Sequence, residues 1–251
     1  MKYRAIIFDL DGTVVPSVME GMPSGAVVEA ARKAKKLFKL STASARAIQY
    51  CRDIWKALAI EDPCIINGGS QIINPKTEEI IWEQCLPEGA IEEVLKRSKG
   101  YTGTFGLNGV FLNIKNDFKK VPKRSNLMVA LGVKKENTQS LVQTLSNIPD
   151  VAVHILPSWT PGEYWDIHVI HKLATKKHAI EKLIEILRVK KEEVIGVGDG
   201  NNDMPLFESV GYKVAMGNSV ETLKKAADYV TDSIENEGFA KFIDKILLDN
   251  S

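Results

Sequence analysis

Two short apolar segments, each breaking into an acidic, glycine-containing loop, constrain this chain more than any other feature. The first is Ala5-Ile6-Ile7-Phe8 running into Asp9-Leu10-Asp11-Gly12-Thr13, and the second is Val194-Ile195-Gly196-Val197 running into Gly198-Asp199-Gly200-Asn201-Asn202-Asp203. A brief apolar run bounded by turn formers reads as a strand buried on both faces, the kind found in parallel sheets. The acids fall just past the strand ends, and in an open α/β sheet that carboxyl edge is where ligands bind. Two such loops can therefore meet in one crevice although about 190 residues separate them.

The flanking pattern supports alternating strands and helices. After a turn-rich stretch, Pro23 opens a helix over Gly25 to Leu37, followed by a short strand Phe38 to Thr42. A second helix is expected over Ala45 to Leu58, then a buried strand Pro63 to Ile66 ending at Asn67-Gly68-Gly69. Gln71 to Ile73 and Glu78 to Trp82 read as a hairpin. The alternation resumes with helices over Thr175 to Leu187, Asn202 to Val210, Val220 to Ala226 and Glu237 to Leu248, and strands at Val194, Tyr212 and Tyr229.

Between these halves the spacing is irregular. Helices are expected over Glu88 to Lys99 and Asn137 to Leu145, with strands at Val110 to Ile114, Val151 to Leu156 and Trp165 to Ile170, while Lys115 to Lys135 is rich in lysine. The expectation is an α/β core with a mainly parallel sheet, built from residues 1–83 and 171–251, around an inserted α+β unit of 84–170. The alternative is one large sheet.

Composition excludes several classes. Lys plus Arg number 33 and Asp plus Glu 32 in 251 residues, a formal charge of +1, which argues against bulk-charge attachment to nucleic acid or anionic lipid. Cys51, Cys64 and Cys85 lack Cys-x-x-Cys spacing, so packed, reduced thiols are expected rather than a disulfide scaffold or thiolate zinc site. Asp9 cuts the first apolar run after four positions, and no run approaches a membrane span, so a cytoplasmic chain without signal peptide or membrane anchor is expected. Four tryptophans, Trp55, Trp82, Trp159 and Trp165, serve equally a buried core or an interface, which leaves a homodimer open.

Carboxylates two residues apart at a strand end allow a division of labour. One attacks phosphorus and the other moves the proton at the bridging oxygen. Together they attract a hard cation such as Mg²⁺, which takes carboxylates, carbonyls, phosphate oxygens and water. Gly12 permits a close turn around an anion. A plain Asp-Gly turn and a helix cap before residues 202–210 are the structural alternatives. The late Gly196-Val197-Gly198-Asp199-Gly200 run is not a dinucleotide fingerprint, because Asn201 follows and the run opens no early βαβ unit. His154, His168, His171 and His178 lack the spacing of a helical zinc site, though His168 or His171 can contact substrate.

With these loops in this order, the chain resembles the haloacid dehalogenase-like hydrolase superfamily, in particular its Cof-like, type IIB sugar-phosphatase branch, over nearly its whole length. The segment Val214-Ala215-Met216-Gly217-Asn218-Ser219 extends the likeness. The resemblance implies a Rossmannoid core and a type C2B cap that closes over it to exclude water and select substrate, with contacts from Lys115 to Arg124 or Trp159 to Trp165. It implies that Asp9 is the nucleophile forming an aspartyl-phosphate and that Asp11 is the general acid/base. Asp9, the Asp11 carbonyl and Asp199 would hold Mg²⁺, with Asp203 in support. Thr42-Ala43-Ser44 stands where the family has Thr-Gly-Arg, which gives Thr42 and Ala43 the phosphoryl group, puts Ser44 in the arginine's place and leaves Arg46, two residues on, as a substrate ligand. Lys176 aligns with the family's phosphate-binding lysine, and Asn67 and Asn202 face substrate. The activity implied is hydrolysis of a small phosphorylated metabolite such as a sugar phosphate, phosphoglycolate or polyol phosphate. A phosphomutase and a non-catalytic sugar-phosphate sensor are the alternatives.

Overall fold

The computed structural model describes residues 2–17, 21–101, 104–107, 110–113, 121–158 and 162–248. The expected substrate-contacting positions 115–120 and 159–161, and the end of the expected strand at Ile114, lie outside these residues. In chain order the elements are β1 (Ala5–Phe8), α1 (Gly25–Ala34), β2 (Lys39–Thr42), α2 (Arg52–Leu58), β3 (Cys64–Ile66), β4 (Gln71–Ile73), β5 (Ile80–Glu83), α3 (Ala90–Arg97), β6 (Thr104–Leu107), β7 (Val110–Asn113) and β8 (Leu127–Lys134). They continue with α4 (Lys135–Leu145), β9 (Val151–Pro157), β10 (Tyr164–His171), α5 (Lys176–Leu187), β11 (Val194–Gly198), α6 (Met204–Ser209), β12 (Tyr212–Ala215), α7 (Glu221–Ala226), β13 (Tyr229–Val230) and α8 (Gly238–Leu248).

The chain forms two compact units, one of Met1–Trp82 with Thr175–Ser251 and the other of Glu83–Ala174. In the first, the sheet runs β13-β12-β11-β1-β2 and every pair is parallel. Alternation along β1 explains its layers. Ile6 and Phe8 face a core shared with α1, α2 and α8, whereas Ala5 and Ile7 face a second core shared with α5 and α6. This is a Rossmannoid α/β fold. β1 and β11 are neighbours, with Phe8 opposite Val197, so the loops after them start side by side.

Two local expectations give way. β3 does not extend the parallel sheet by a full ladder; it pairs antiparallel with β4 and joins the sheet through a single parallel bridge, Ala43 to Ile65. The helix expected from Ala45 is instead a turn, a 3₁₀ turn Ile48–Tyr50, and then α2. The reason is competition for backbone groups. The carbonyls of Ser44 and Arg46 accept from the Gly68 and Asn67 amides (3.1 and 2.9 Å), which ties this turn to the end of β3 and away from a helical ladder.

The second unit is α+β. Its sheet, β7-β6-β8-β10-β9, is antiparallel throughout. One face carries Phe105, Leu107, Met128, Ala130, Ile167 and Val169 into a core with α3 and α4. Three separate sheets replace the single-sheet alternative.

Candidate active site

The first acidic loop is fixed by its own backbone. Asp9 extends β1 by one bond, its amide donating to the Val197 carbonyl at 3.0 Å, and the amides of Thr13, Val14 and Val15 then converge on the Leu10 carbonyl. Gly12 takes φ of +73° at this turn, and a Cβ there would lie 2.1 Å from Asp199 Oδ2. Only glycine lets the two acidic loops approach so closely.

The second loop is organised by Asp203. Its side chain is fully buried, and Oδ2 accepts from the amides of Asp199 (2.9 Å) and Gly200 (3.1 Å). Asp203 Oδ1 and Asp9 Oδ1 both receive Lys176 Nζ, at 2.5 and 2.8 Å. Lys176 is the first residue of α5, whose start is set by Thr175 capping the His178 amide. Gly69, at φ +109°, allows the β3–β4 turn to press against this helix start, where a Cβ would sit 2.6 Å from the Lys176 nitrogen. Thr13 Oγ1 reaches Asp199 Oδ1 at 3.4 Å.

Asp9, Asp199 and Asp203 each bring a carboxylate oxygen within 4.8 Å of the others. Burial pushes the Asp9 carboxyl up, to about 8, against the pull of Lys176 and with repulsion from Asp203 and Asp199. Burial and then Asp203 raise Asp199 to about 6. Burial works against the Lys176 charge, yet Asp9 and Asp203 more than offset it and hold the ammonium protonated. Three carboxylates thus compete for one ammonium, and the surplus negative charge favours a proton or a cation. An all-oxygen, anionic donor set suits a hard divalent ion such as Mg²⁺.

Asp11 stands outside this carboxylate group. Arg46 grips it with both arms, Nε to Oδ2 at 2.9 Å and Nη2 to Oδ1 at 2.6 Å, and also donates to the Tyr50 carbonyl at 3.2 Å. Arg46, read from sequence as a substrate ligand, is placed on the second acid of the first loop.

Thr42 ends β2 and Ala43 follows it, both beside the end of β1. Thr42 lies opposite Phe8, whose side chain faces the α1/α2/α8 core. The Thr42 side chain is fully buried and its hydroxyl accepts from Trp55 Nε1 at 2.8 Å. Ala43 has its amide on the Phe8 carbonyl and its methyl in the α5/α6 core. The Ala43 amide is spent on the strand pairing, whereas the Thr42 hydroxyl, an acceptor toward Trp55, keeps its own proton to donate. The next hydroxyl, Ser44, accepts from the Arg46 amide at 3.1 Å and keeps its own proton to donate. Period-two alternation puts Thr42 on the same face as Phe38 and Leu40, which accounts for its burial.

Asn67 turns at φ +50° and gives its side-chain amide to Gln71 at 3.0 Å. Asn202 is exposed on the 3₁₀ turn Asn201–Asp203. Trp55, Thr13 and Asn218 are contributors that sequence reading did not single out. No helix among the described residues is long and apolar enough to cross a membrane.

Comparison with known proteins agrees with this geometry. The family model for haloacid dehalogenase-like hydrolases matches residues 6–111 and 107–243, and the chain belongs to that family. It is 42% identical over 81 residues to phosphoglycolate phosphatase 1 of Saccharolobus solfataricus, a match spanning 32% of this chain and 36% of that protein. It is 24% identical over 251 aligned residues to the phosphoglycolate phosphatase of Methanosarcina acetivorans, covering 97% of this chain and 96% of the relative. A haloacid dehalogenase-like hydrolase structure from Bacteroides thetaiotaomicron shares the fold with a TM-score of 0.82 at 23% identity, covering 98% of this chain and 100% of that one. Fold, family and acidic cluster together define an enzyme with the phosphatase chemistry of these hydrolases.

Proposed function

We propose that the chain is a Mg²⁺-dependent phosphatase of small phosphomonoesters, in the Cof-like, type IIB branch of its family, acting through an aspartyl-phosphate on Asp9. The observation that carries this is the buried Asp9 carboxylate at the end of β1, held by Lys176 and grouped with Asp199 and Asp203. Phosphoglycolate or a sugar or polyol phosphate is the substrate class; the phosphoglycolate phosphatases among the relatives favour the first.

Asp9, Asp199 and the carbonyl of Asp11 would hold the cation, with Asp203 fixing the loop behind Asp199. The bound ion supplies charge neutralisation on the phosphoryl oxygens. Lys176 orients Asp9 and adds positive charge beside the site of attack. Asp9 Oδ attacks phosphorus as the ester oxygen leaves, and Asp11 delivers the proton that oxygen needs. Asp11 then takes a proton from the water that opens the aspartyl-phosphate, which returns both acids to their starting forms. Arg46 holds both Asp11 oxygens and fixes the carboxyl's orientation, leaving a second lone pair on each for the proton transfer. Two hydroxyls can donate to the phosphoryl group, Thr42 and Ser44, since each accepts one hydrogen bond, from Trp55 Nε1 and from the Arg46 amide, and keeps its own proton.

The test is inorganic phosphate release from a panel of phosphomonoesters with Mg²⁺ or EDTA, alongside Asp9→Asn. Release that requires Mg²⁺ and disappears in Asp9→Asn is expected. Full Mg²⁺-dependent turnover by Asp9→Asn would overturn the assignment.

A further inference from the structure

Beyond strand pairing, the two acidic loops are joined by a third loop that the mechanism does not use. This loop, Met216 to Val220 after β12, makes three bonds onto the second acidic loop: the Met216 amide and Ser219 Oγ donate to the Gly198 carbonyl at 3.0 and 3.1 Å, and the Val220 amide donates to the Asp199 carbonyl at 3.0 Å. Among the described residues its side-chain link to the first acidic loop is Asn218, whose Nδ2 donates to the Gly12 carbonyl at 2.8 Å. At its other end Asn218 Oδ1 accepts the Ile234 amide at 2.9 Å, and the neighbouring Gly217 amide donates to the Asp232 carbonyl at 2.9 Å. An exposed asparagine is thus bonded at both ends to main chain of other segments.

The direct contact between the acidic loops is weak by comparison. Thr13 Oγ1 to Asp199 Oδ1 is 3.4 Å, near the limit for a hydrogen bond. Gly12, which Asn218 holds, is the residue that lies against Asp199 Oδ2. A shift of the Gly12 turn therefore changes the space beside one carboxylate oxygen of the acidic group.

We propose that Asn218 is a positioning residue that sets the separation of the two acidic loops, and through it the affinity of the Asp9–Asp199 site for its divalent cation. The proposal rests on the metal-dependent reading above. It assigns Asn218 no contact with substrate.

The experiment titrates Mg²⁺ into the full chain by isothermal calorimetry, which reads cation binding without turnover. For the unmodified chain a saturable heat is expected, and its absence would overturn the metal reading and this proposal with it. Asn218→Ala removes one hydrogen bond from a loop that grips the other side unchanged, so the Mg²⁺ concentration at half-saturation should rise about fivefold. Phosphate release should recover at saturating Mg²⁺, with kcat close to that of the unmodified chain. Asn236→Ala is the control: it removes an exposed amide in the adjacent segment, where its partner is Ser233 Oγ rather than an acidic loop, and should leave the half-saturation concentration in place. A purely structural role would lower the melting temperature of Asn218→Ala and leave the half-saturation concentration unchanged. That result, with a normal Mg²⁺ response in the unmodified chain, would overturn the proposal while leaving the phosphatase reading intact.

Discussion

Lys176→Met removes the ammonium that Asp9 and Asp203 share, at a point where the three side chains are 8%, 5% and 0% exposed. Methionine fills similar volume and leaves two carboxyls without their counter-charge. Deleting one partner of a buried pair ordinarily costs about 3–5 kcal/mol. Here the lower end applies, because Asp9 is already poised to take up a proton and the variant can neutralise it. A loss of about 3 kcal/mol corresponds to a fall of about 6–12 °C in the melting of the unit that holds the site, at about 2–4 °C per kcal/mol for a chain of this size. The loss should be greater at pH 9 than at pH 5, since below about 8 Asp9 is protonated in both chains, whereas above it only the unmodified chain has the ammonium to stabilise the carboxylate. Metal-free thermal denaturation at both values reads this directly. In the phosphate-release assay, loss of a fixed positive charge beside the reacting group should lower kcat by about 100- to 1000-fold. A variant that melts within about 2 °C of the unmodified chain at both pH values, and turns over normally, would refute the reasoning.

Three further outcomes follow from named contacts. Asp199 is raised to about 6 from an ordinary value near 3.8, so between these values the folded state holds a proton that the unfolded state has lost, and metal-free stability should fall as pH rises through that window; denaturation melts from pH 4 to 7 check this, and Mg²⁺ should flatten the dependence. Thr42→Val leaves the buried Trp55 indole N–H unpaired and also removes a hydroxyl donor, so it should cost about 1–3 kcal/mol in denaturant unfolding and lower kcat/KM about 10- to 100-fold; Ser44→Ala, which frees the Arg46 amide and removes the second donor, should do both to a similar degree. Gly12→Ala forces a Cβ to 2.1 Å from Asp199 Oδ2 at a positive φ, so the Mg²⁺-induced rise in melting temperature should be largely lost.

The parts of the site that follow from strand ends were legible in the sequence. An apolar run cannot hold Asp9 or Asp199 in its interior, so both acids fall at the sheet edge, and Lys176 is drawn to them by a helix whose start Thr175 caps. What the sequence obscured depended on facing and on competition between backbone partners. Thr42 and Ser44 share the parity of Phe38 and Leu40, so alternation puts both on the buried side, and no local pattern shows that Thr42 takes up the Trp55 N–H. The stretch from Ala45 looks helical by composition, but its start is pinned by amides from the distant Asn67-Gly68 turn. Strand β8, Leu127–Lys134, was masked by the lysines around it, although its own apolar residues Met128, Ala130 and Val133 mark the face that is buried. Arg46 was visible as a basic residue near the site; its bidentate hold on Asp11 depends on a turn that no local pattern specifies.

The central claim is that Asp9 carries the phosphoryl group between substrate and water. Acid-quenched single-turnover reactions with a radiolabelled phosphomonoester and Mg²⁺, followed by peptide mapping, test it most directly. The account predicts transient label on the peptide containing Asp9, lost in Asp9→Asn and longer-lived when Asp11 is replaced by Asn. Turnover with no protein-bound label at any time, or label on a peptide that lacks Asp9, would contradict it.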